Sequence, residues 1–303
     1  MQPSPFTLRT GIYPEIDPTH LSGSLAGQNA LVTGSGRGIG REMALALAQA
    51  GANVVVTGRT ASQVNETVDL IKKLEGGAVG QAFGIVADVL DRTDLARLVE
   101  ESTSVLPGGH IDILLCNAGS NMFQPFHLTD ATEWWDIMEL NVRAPVELTR
   151  LVLPGMRARN RGTLVYTSSR AATADLPWTT AYNCAKTAIT RFAGTLQAEL
   201  DSDPTSGPTN AIRCFSIHPG EIETSLHESA FPEKTRKEAP YIVEHMAKLG
   251  AKRPHFEGVL PAWTCVWLSV PSDKREALKG KYVDCTRDVG EQAEAAAKAA
   301  GKL

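Results

Sequence analysis

Short apolar, β-branched runs alternate along this chain with longer stretches in which apolar residues return every three or four positions. The runs at 30–33, 53–57, 83–86, 111–116, 163–167 and 212–217 have strand length, and the stretches at 41–50, 91–106, 129–159 and 179–200 have helical spacing. Strand followed by helix, repeated, predicts a doubly wound parallel sheet with helices on both faces, because crossovers between parallel strands are right-handed. Punctuation agrees. Gly51 stands where a helix-ending glycine belongs, Thr129 and Asp130 with Glu133 open a capped helix, and 201–210 (DSDPTSGPTN) reads as a surface loop. The rhythm breaks at 225–261, a long mixed stretch rich in aromatics and prolines that is expected to be a mobile lid or substrate loop. Residues 1–24 are expected to form an ordered or partly ordered arm, 25–290 a single domain, and 291–303 an alanine-rich, helix-prone tail.

Composition narrows the class. A chain of 303 residues with 43% hydrophobic content can bury a sizeable core as one α/β domain with a large loop. A net charge of −4 speaks against a general nucleic-acid binder. No apolar run approaches the roughly 20 residues of a membrane span. The first 28 residues lack an apolar signal core and carry Glu15 and Asp17, so they read as an arm rather than an address. The five cysteines (Cys116, Cys184, Cys214, Cys265, Cys285) form no C-x-x-C pair. Free thiols in a reducing compartment, the cytoplasm by default, are expected rather than disulfides or a metal site.

The candidate chemistry lies in two places. Directly after the first strand come Thr33-Gly34-Ser35-Gly36-Arg37-Gly38-Ile39-Gly40, and a helix follows at once. Glycines there let backbone amides approach a pyrophosphate, and the helix N-terminus adds free N–H groups and partial positive charge. The spacing departs from the strict G-x-G-x-x-G dinucleotide fingerprint. Further on, Tyr182-Asn183-Cys184-Ala185-Lys186 puts a phenol and an ammonium four residues apart, on one face if helical. Alone, that spacing marks an exposed helix face far more often than an acid–base pair. As a pair, the cation would stabilise a phenolate and bring its pKa toward neutrality.

The glycine run has the T-G-x-x-x-G-x-G form of the short-chain dehydrogenase/reductase family, which the chain resembles from about Leu25 to Asp284. Other signposts follow in family order. Asp88-Val89 falls after the third strand, and Cys116-Asn117-Ala118-Gly119 resembles the family's N-N-A-G. Pro219-Gly220-Glu221-Ile222-Glu223-Thr224 follows the sixth strand. The resemblance implies a Rossmann-like sheet of about seven strands and a soluble enzyme that moves a hydride between a nicotinamide cofactor and a carbonyl or alcohol carbon. It also implies cofactor contacts from Gly34, Ser35, Arg37, Gly38, Ile39, Gly40, Arg59, Asp88, Val89, Asn117, Ala118, Gly119, Tyr182, Lys186, Pro219, Gly220, Ile222 and Thr224. Asn141, Ser169, Tyr182 and Lys186 match its catalytic set. Ser169 is selected over Ser168 because the family's serine precedes the tyrosine by 13 residues. Asn141 matches an asparagine associated with a helix kink and a proton relay, although a buried structural asparagine would look the same. Homodimers and homotetramers are usual in the family.

The cofactor is expected to be NADP(H) rather than NAD(H). The second strand ends Val56-Thr57-Gly58-Arg59 with no carboxylate to accept from a ribose 2′-hydroxyl, and Arg59 and Arg37 suit a phosphate. Two features depart from the common pattern: Arg170-Ala171-Ala172, where many relatives end in glycine, and Cys285-Thr286 in place of paired glycines after Lys281-Tyr282-Val283-Asp284. Asn121, Phe123, Trp178, Glu221 and the stretch 225–261 are candidate pocket walls, which suits a medium-sized, partly apolar carbonyl compound better than a small acid. Two other classes stay open: a non-redox lyase or isomerase using the same tyrosine, and a non-catalytic nucleotide-sensing protein, which the intact four-residue set disfavours.

Overall fold

Seven apolar runs form one parallel sheet in the computed structural model, which describes residues 4–76, 79–203, 210–222, 230–251 and 254–301. The strands are β1 (Asn29–Thr33), β2 (Asn53–Gly58), β3 (Ala82–Val86), β4 (Ile113–Cys116), β5 (Gly162–Thr167), β6 (Ile212–His218) and β7 (Tyr282–Asp284). They lie in the order β3-β2-β1-β4-β5-β6-β7, the doubly wound arrangement that the strand–helix alternation predicts. β1, β4 and β6 are buried along their whole length, as expected of strands covered on both faces.

Successive side chains on these strands enter opposite cores. Ala30, Val32, Val54, Val56 and Phe215 belong to the core shared with α1 (Gly38–Gln49) and α2 (Ala61–Lys72). Leu31, Val55, Leu114 and Cys214 pack on the other side with α3 (Arg92–Val105), whose cap is the Asp91 carboxylate. The predicted stretch 129–159 is three elements: α4 (Ala131–Met138), a π-helical turn at Glu139–Arg143, and α5 (Ala144–Arg159). α6 (Thr180–Ser202) follows β5.

The stretch 225–261 carries regular structure where it is described. α7 (Glu233–Glu238) and α8 (Pro240–Gly250) lie within it, and α9 (Val259–Ser269) begins at its end. α9 is buried all round and packs against α1. The chain then runs through α10 (Asp273–Leu278) and β7 into α11 (Val289–Ala299). α11 buries Val289 and Ala293 in the first core, so the tail residues up to 299 form a helix docked along one face. The N-terminal arm buries Tyr13, Ile16 and Leu21 in the same core and is tied to the N-cap of α11 by an Arg9–Asp288 ion pair at 2.7 Å. Among the described residues, no helix is long and apolar enough to cross a membrane.

Candidate active site

β1 and β4 are neighbours, but the chain leaves them in opposite directions, to β2 on one side and β5 on the other. The loops that follow them therefore part at their carboxyl ends and open a crevice. A cleft of about 600 Å³ lies there, floored by the glycine loop, the ends of β4 and β5, and the loop after β6.

At one end the chain turns tightly. Gly34 has φ +66° and Gly38 φ +56°, a region that side-chain-bearing residues rarely adopt. The N-terminus of α1 has no side-chain cap, so its first N–H groups remain available to an anion. Gly34, Arg37, Gly38, Ile39 and Gly40 all line the cleft. Ser35 does not. It is fully buried, donates from Oγ to the Val32 carbonyl at 2.6 Å and accepts from the Thr57 amide at 2.9 Å, stapling β1 to β2. Arg41 and Thr67 each donate to the Gly36 carbonyl, which fixes the loop from outside.

Along the middle, Arg59, Asp88 and Val89 lie on one wall, and Arg59 and Asp88 approach to 3.9 Å with most of the guanidinium in solvent. Asn117 joins the two halves: its Nδ2 donates to the carbonyls of Thr33 (3.1 Å) and Gly34 (3.3 Å), while its own amide and that of Ala118 donate to Thr33 Oγ1. Asn117, Ala118 and Gly119 line the cleft, as do Pro219, Gly220, Glu221 and Ile222. Thr224 lies outside the described residues. A cradle of small residues, uncapped helix amides and two arginines fits a dinucleotide carrying phosphate groups.

At the other end Ser169, Tyr182 and Lys186 line the cleft together, with Lys186 one helical turn beyond Tyr182. The Ser168 hydroxyl bonds elsewhere, to Thr190 at 2.6 Å and to the Lys186 carbonyl. Ser169 Oγ accepts from the Ala171 amide at 3.2 Å, which fixes its orientation. Burial pushes the Tyr182 phenol up to about 12, with the nearby Ser169 hydroxyl opposing the shift, and pulls Lys186 down to about 7. Burial of the phenol, not the neighbouring lysine, sets the direction of the Tyr182 shift. The cleft floor penalises both charged forms.

Asn141 is buried within the π turn. Its Nδ2 donates to the Ile137 carbonyl at 2.8 Å, the acceptor that an α-helix would reserve for the Asn141 main chain, and to the Ser120 carbonyl at 3.0 Å. That capture accounts for the local widening. Its Oδ1 is buried with no protein partner and faces Gly119.

Asn121, Phe123, Trp178 and Glu221 all reach the cleft. The structure adds Arg170, Leu176, Pro177 and His218 to the walls, and from the candidate stretch 225–261 it brings His245 and Met246 to the cleft. Arg170 and Glu221 form an ion pair at 2.7 Å between the loops after β5 and β6. His245 and Met246 come from α8, whose Ile242, Met246 and Leu249 repeat at helical spacing, a signal present in the sequence.

The model of the short chain dehydrogenase family matches residues 28–235. A short chain dehydrogenase of Pseudocercospora fijiensis is 34% identical over 95% of this chain and 90% of its own length. Among solved structures, one described as an NAD(P)-dependent gluconate 5-dehydrogenase of Beutenbergia cavernae, holding NADP at low occupancy, superposes with TM-score 0.70 at 27% identity, covering 90% of this chain and 99% of that one. A 7α-hydroxysteroid dehydrogenase complexed with NADH and 7-oxo glycochenodeoxycholic acid superposes with TM-score 0.73 at 28% identity, covering 88% and 95%.

Proposed function

The chain belongs to the short-chain dehydrogenase family, and on that premise we propose that it is an NADP(H)-dependent oxidoreductase that reduces a carbonyl group, or oxidises the corresponding secondary alcohol, with Tyr182 as general acid and base. The observation that carries this reading is the convergence of Ser169, Tyr182, Lys186 and Asn141 on the same cleft as the glycine loop, at the point where the strand order reverses.

A nicotinamide held there supplies or takes up the hydride. The protein does the rest. Ser169 and Tyr182 donate hydrogen bonds to the substrate carbonyl oxygen and stabilise the charge that develops on it. Tyr182 passes its phenolic proton to that oxygen, and in the reverse direction the phenolate takes the alcohol proton. Lys186, once charged, stabilises the phenolate left behind. Asn141 Oδ1, buried without a protein partner, is positioned to hold a water that returns the proton. Arg37 and Arg59 favour a 2′-phosphate. The related structures hold NADP in one case and NADH in another, so the cofactor preference rests on these two arginines and on the absence of a carboxylate at the end of β2.

The test is a panel of ketones and secondary alcohols followed by NADPH absorbance. Consumption of NADPH matched by alcohol formation is expected. Chemical turnover of an added compound without net cofactor oxidation would replace this reading with a lyase or isomerase acting through the same tyrosine.

A further inference from the structure

Beyond Tyr182 the cleft is walled by Trp178, Leu176, Phe123 and Met246, and one of these stands on unusual backbone. Trp178 has φ +63°, a conformation that a bulky L-residue holds only when its surroundings supply the free energy. They do so from three directions. The Gln124 amide donates to the Trp178 carbonyl at 2.7 Å, and the next residue, Thr179, donates from Oγ1 to Asn121 Oδ1 at 2.6 Å. Gln124 is itself buried and anchored, its Nε2 donating to the Leu128 carbonyl at 3.0 Å. The indole meets His245 and Tyr241 of α8 edge-to-face, with ring centres 5.1 and 6.0 Å away. The result is a rigid, half-buried aromatic on the cleft wall, four residues ahead of Tyr182.

The charges at this end are satisfied. Of the Lys and Arg residues lining the cleft, Arg37 and Arg59 lie on the glycine loop and the end of β2, Arg170 is paired with Glu221, and Lys186 donates to the Thr167 carbonyl at 2.6 Å. Among the described residues, a carboxylate or phosphate on the substrate therefore meets no Arg or Lys at the aromatic wall whose hydrogen bonds are not already taken, whereas an uncharged ring meets aromatic and apolar surface.

We infer that Trp178 is a specificity-determining residue whose indole selects uncharged, ring-bearing carbonyl compounds over acyclic and anionic ones. This rests on the proposed carbonyl–alcohol reading and names the substrate class for it. The strained backbone is what aims the ring: an ordinary φ at 178 would swing the side chain away from this wall.

The test compares wild type with Trp178→Phe and Trp178→Ala on 2-tetralone, 2-butanone and a carboxylated 2-tetralone. NADPH turnover and calorimetric binding to the NADP-loaded enzyme are both measured. Wild type is expected to favour 2-tetralone over both other ketones by at least tenfold in kcat/KM and to bind it more tightly. Trp178→Ala should lose about tenfold on 2-tetralone with less than a twofold change on 2-butanone, and Trp178→Phe should keep most of the preference. NADPH affinity and melting temperature report whether the alanine variant is folded, and the phenylalanine variant tests ring chemistry if it is not. Equal losses on the ring and the acyclic ketone, or a wild-type preference for the carboxylated ring, would overturn the inference. Binding of 2-tetralone that depends on Trp178 without any NADPH oxidation would instead leave Trp178 as the selector and remove the redox reading.

Discussion

Lys186 Nζ donates a 2.6 Å hydrogen bond to the Thr167 carbonyl at the end of β5 while lying 5.2 Å from the centre of the Tyr182 ring. The ammonium is thus held beneath the phenol by a strand, not by a flexible surface contact, and burial brings its pKa down to about 7.

That burial makes stability depend on pH in a defined direction. Between pH 10.5 and about 7 the unfolded chain binds a proton at Lys186 that the native state does not, so stability falls as pH drops through this window and levels off below it. Lys186→Met removes the effect. The variant is expected to be more stable than wild type at pH 7, by on the order of a few kcal/mol less the lost bond to Thr167, and to lose that advantage above pH 10. Thermal melting of both proteins from pH 6 to pH 11 checks it. Parallel curves would show that Lys186 keeps an ordinary pKa in the fold.

Tyr182 carries the opposite shift, held in its neutral form up to about 12. Its proton is then present throughout the neutral range, so reduction should be insensitive to this group between pH 6 and 9. Alcohol oxidation needs the phenolate, and its kcat/KM should rise with pH by up to tenfold per unit over the same range. Tyr182→Phe should lower turnover by about 10²–10⁴-fold in both directions while leaving NADPH affinity within about twofold. Steady-state pH profiles with fluorescence titration of the cofactor provide both readouts.

Much of this arrangement was legible before the structure, and the parts that were not have physical reasons. The six longer strands read clearly because residues such as Val54, Val55 and Val56 are buried on alternate faces of a covered sheet, leaving nearly continuous apolar runs. β7 has only three residues, too few for a periodicity, and showed itself through the match of Lys281–Asp284 to a family strand. Helix α2 has a weak sequence signal: Val64, Val68 and Ile71 mark its inner face, but polar residues dominate the stretch. The π turn has no local signature. Asn141 takes the Ile137 carbonyl there while its side-chain amide is also held by the Ser120 carbonyl, which arrives from the loop after β4. Ser35 sits at a motif position, but the direction of its side chain is set by Thr57 on a neighbouring strand, which a motif does not encode. His245 reaches Trp178 only because α8 folds back over the cleft.

The glycine loop gives a steric prediction. A β-carbon on Gly40 would collide with the Gly34 carbonyl and with the Asn117 side-chain amide that joins the two halves of the sheet. Gly40→Ala is therefore expected to weaken NADPH binding at least tenfold and to cost about 1–3 kcal/mol in stability. Gly250→Ala is the matched control, since a β-carbon there meets nothing within 4 Å. Cofactor titration and chemical denaturation of the two variants decide it: equal behaviour would mean that the loop relaxes without cost.

The choice between cofactors turns on Arg59. Its guanidinium is 71% exposed and only 3.9 Å from Asp88, an arrangement that as an ion pair is worth little in water. A phosphate group offers the same guanidinium a stronger, bidentate partner, so the Asp88 contact is a resting place that a 2′-phosphate would displace. Arg59→Asp would put a carboxylate at the end of β2, where a ribose 2′-hydroxyl could be bound and a phosphate would be repelled. NADPH affinity is expected to fall by roughly 10- to 100-fold and NADH affinity to hold or rise, reversing the preference. The wild-type difference should also shrink as ionic strength rises, because the arginine is in solvent. Tighter binding of NADH than NADPH by the wild type at low salt would assign Arg59 to Asp88 alone and make the protein NAD(H)-dependent.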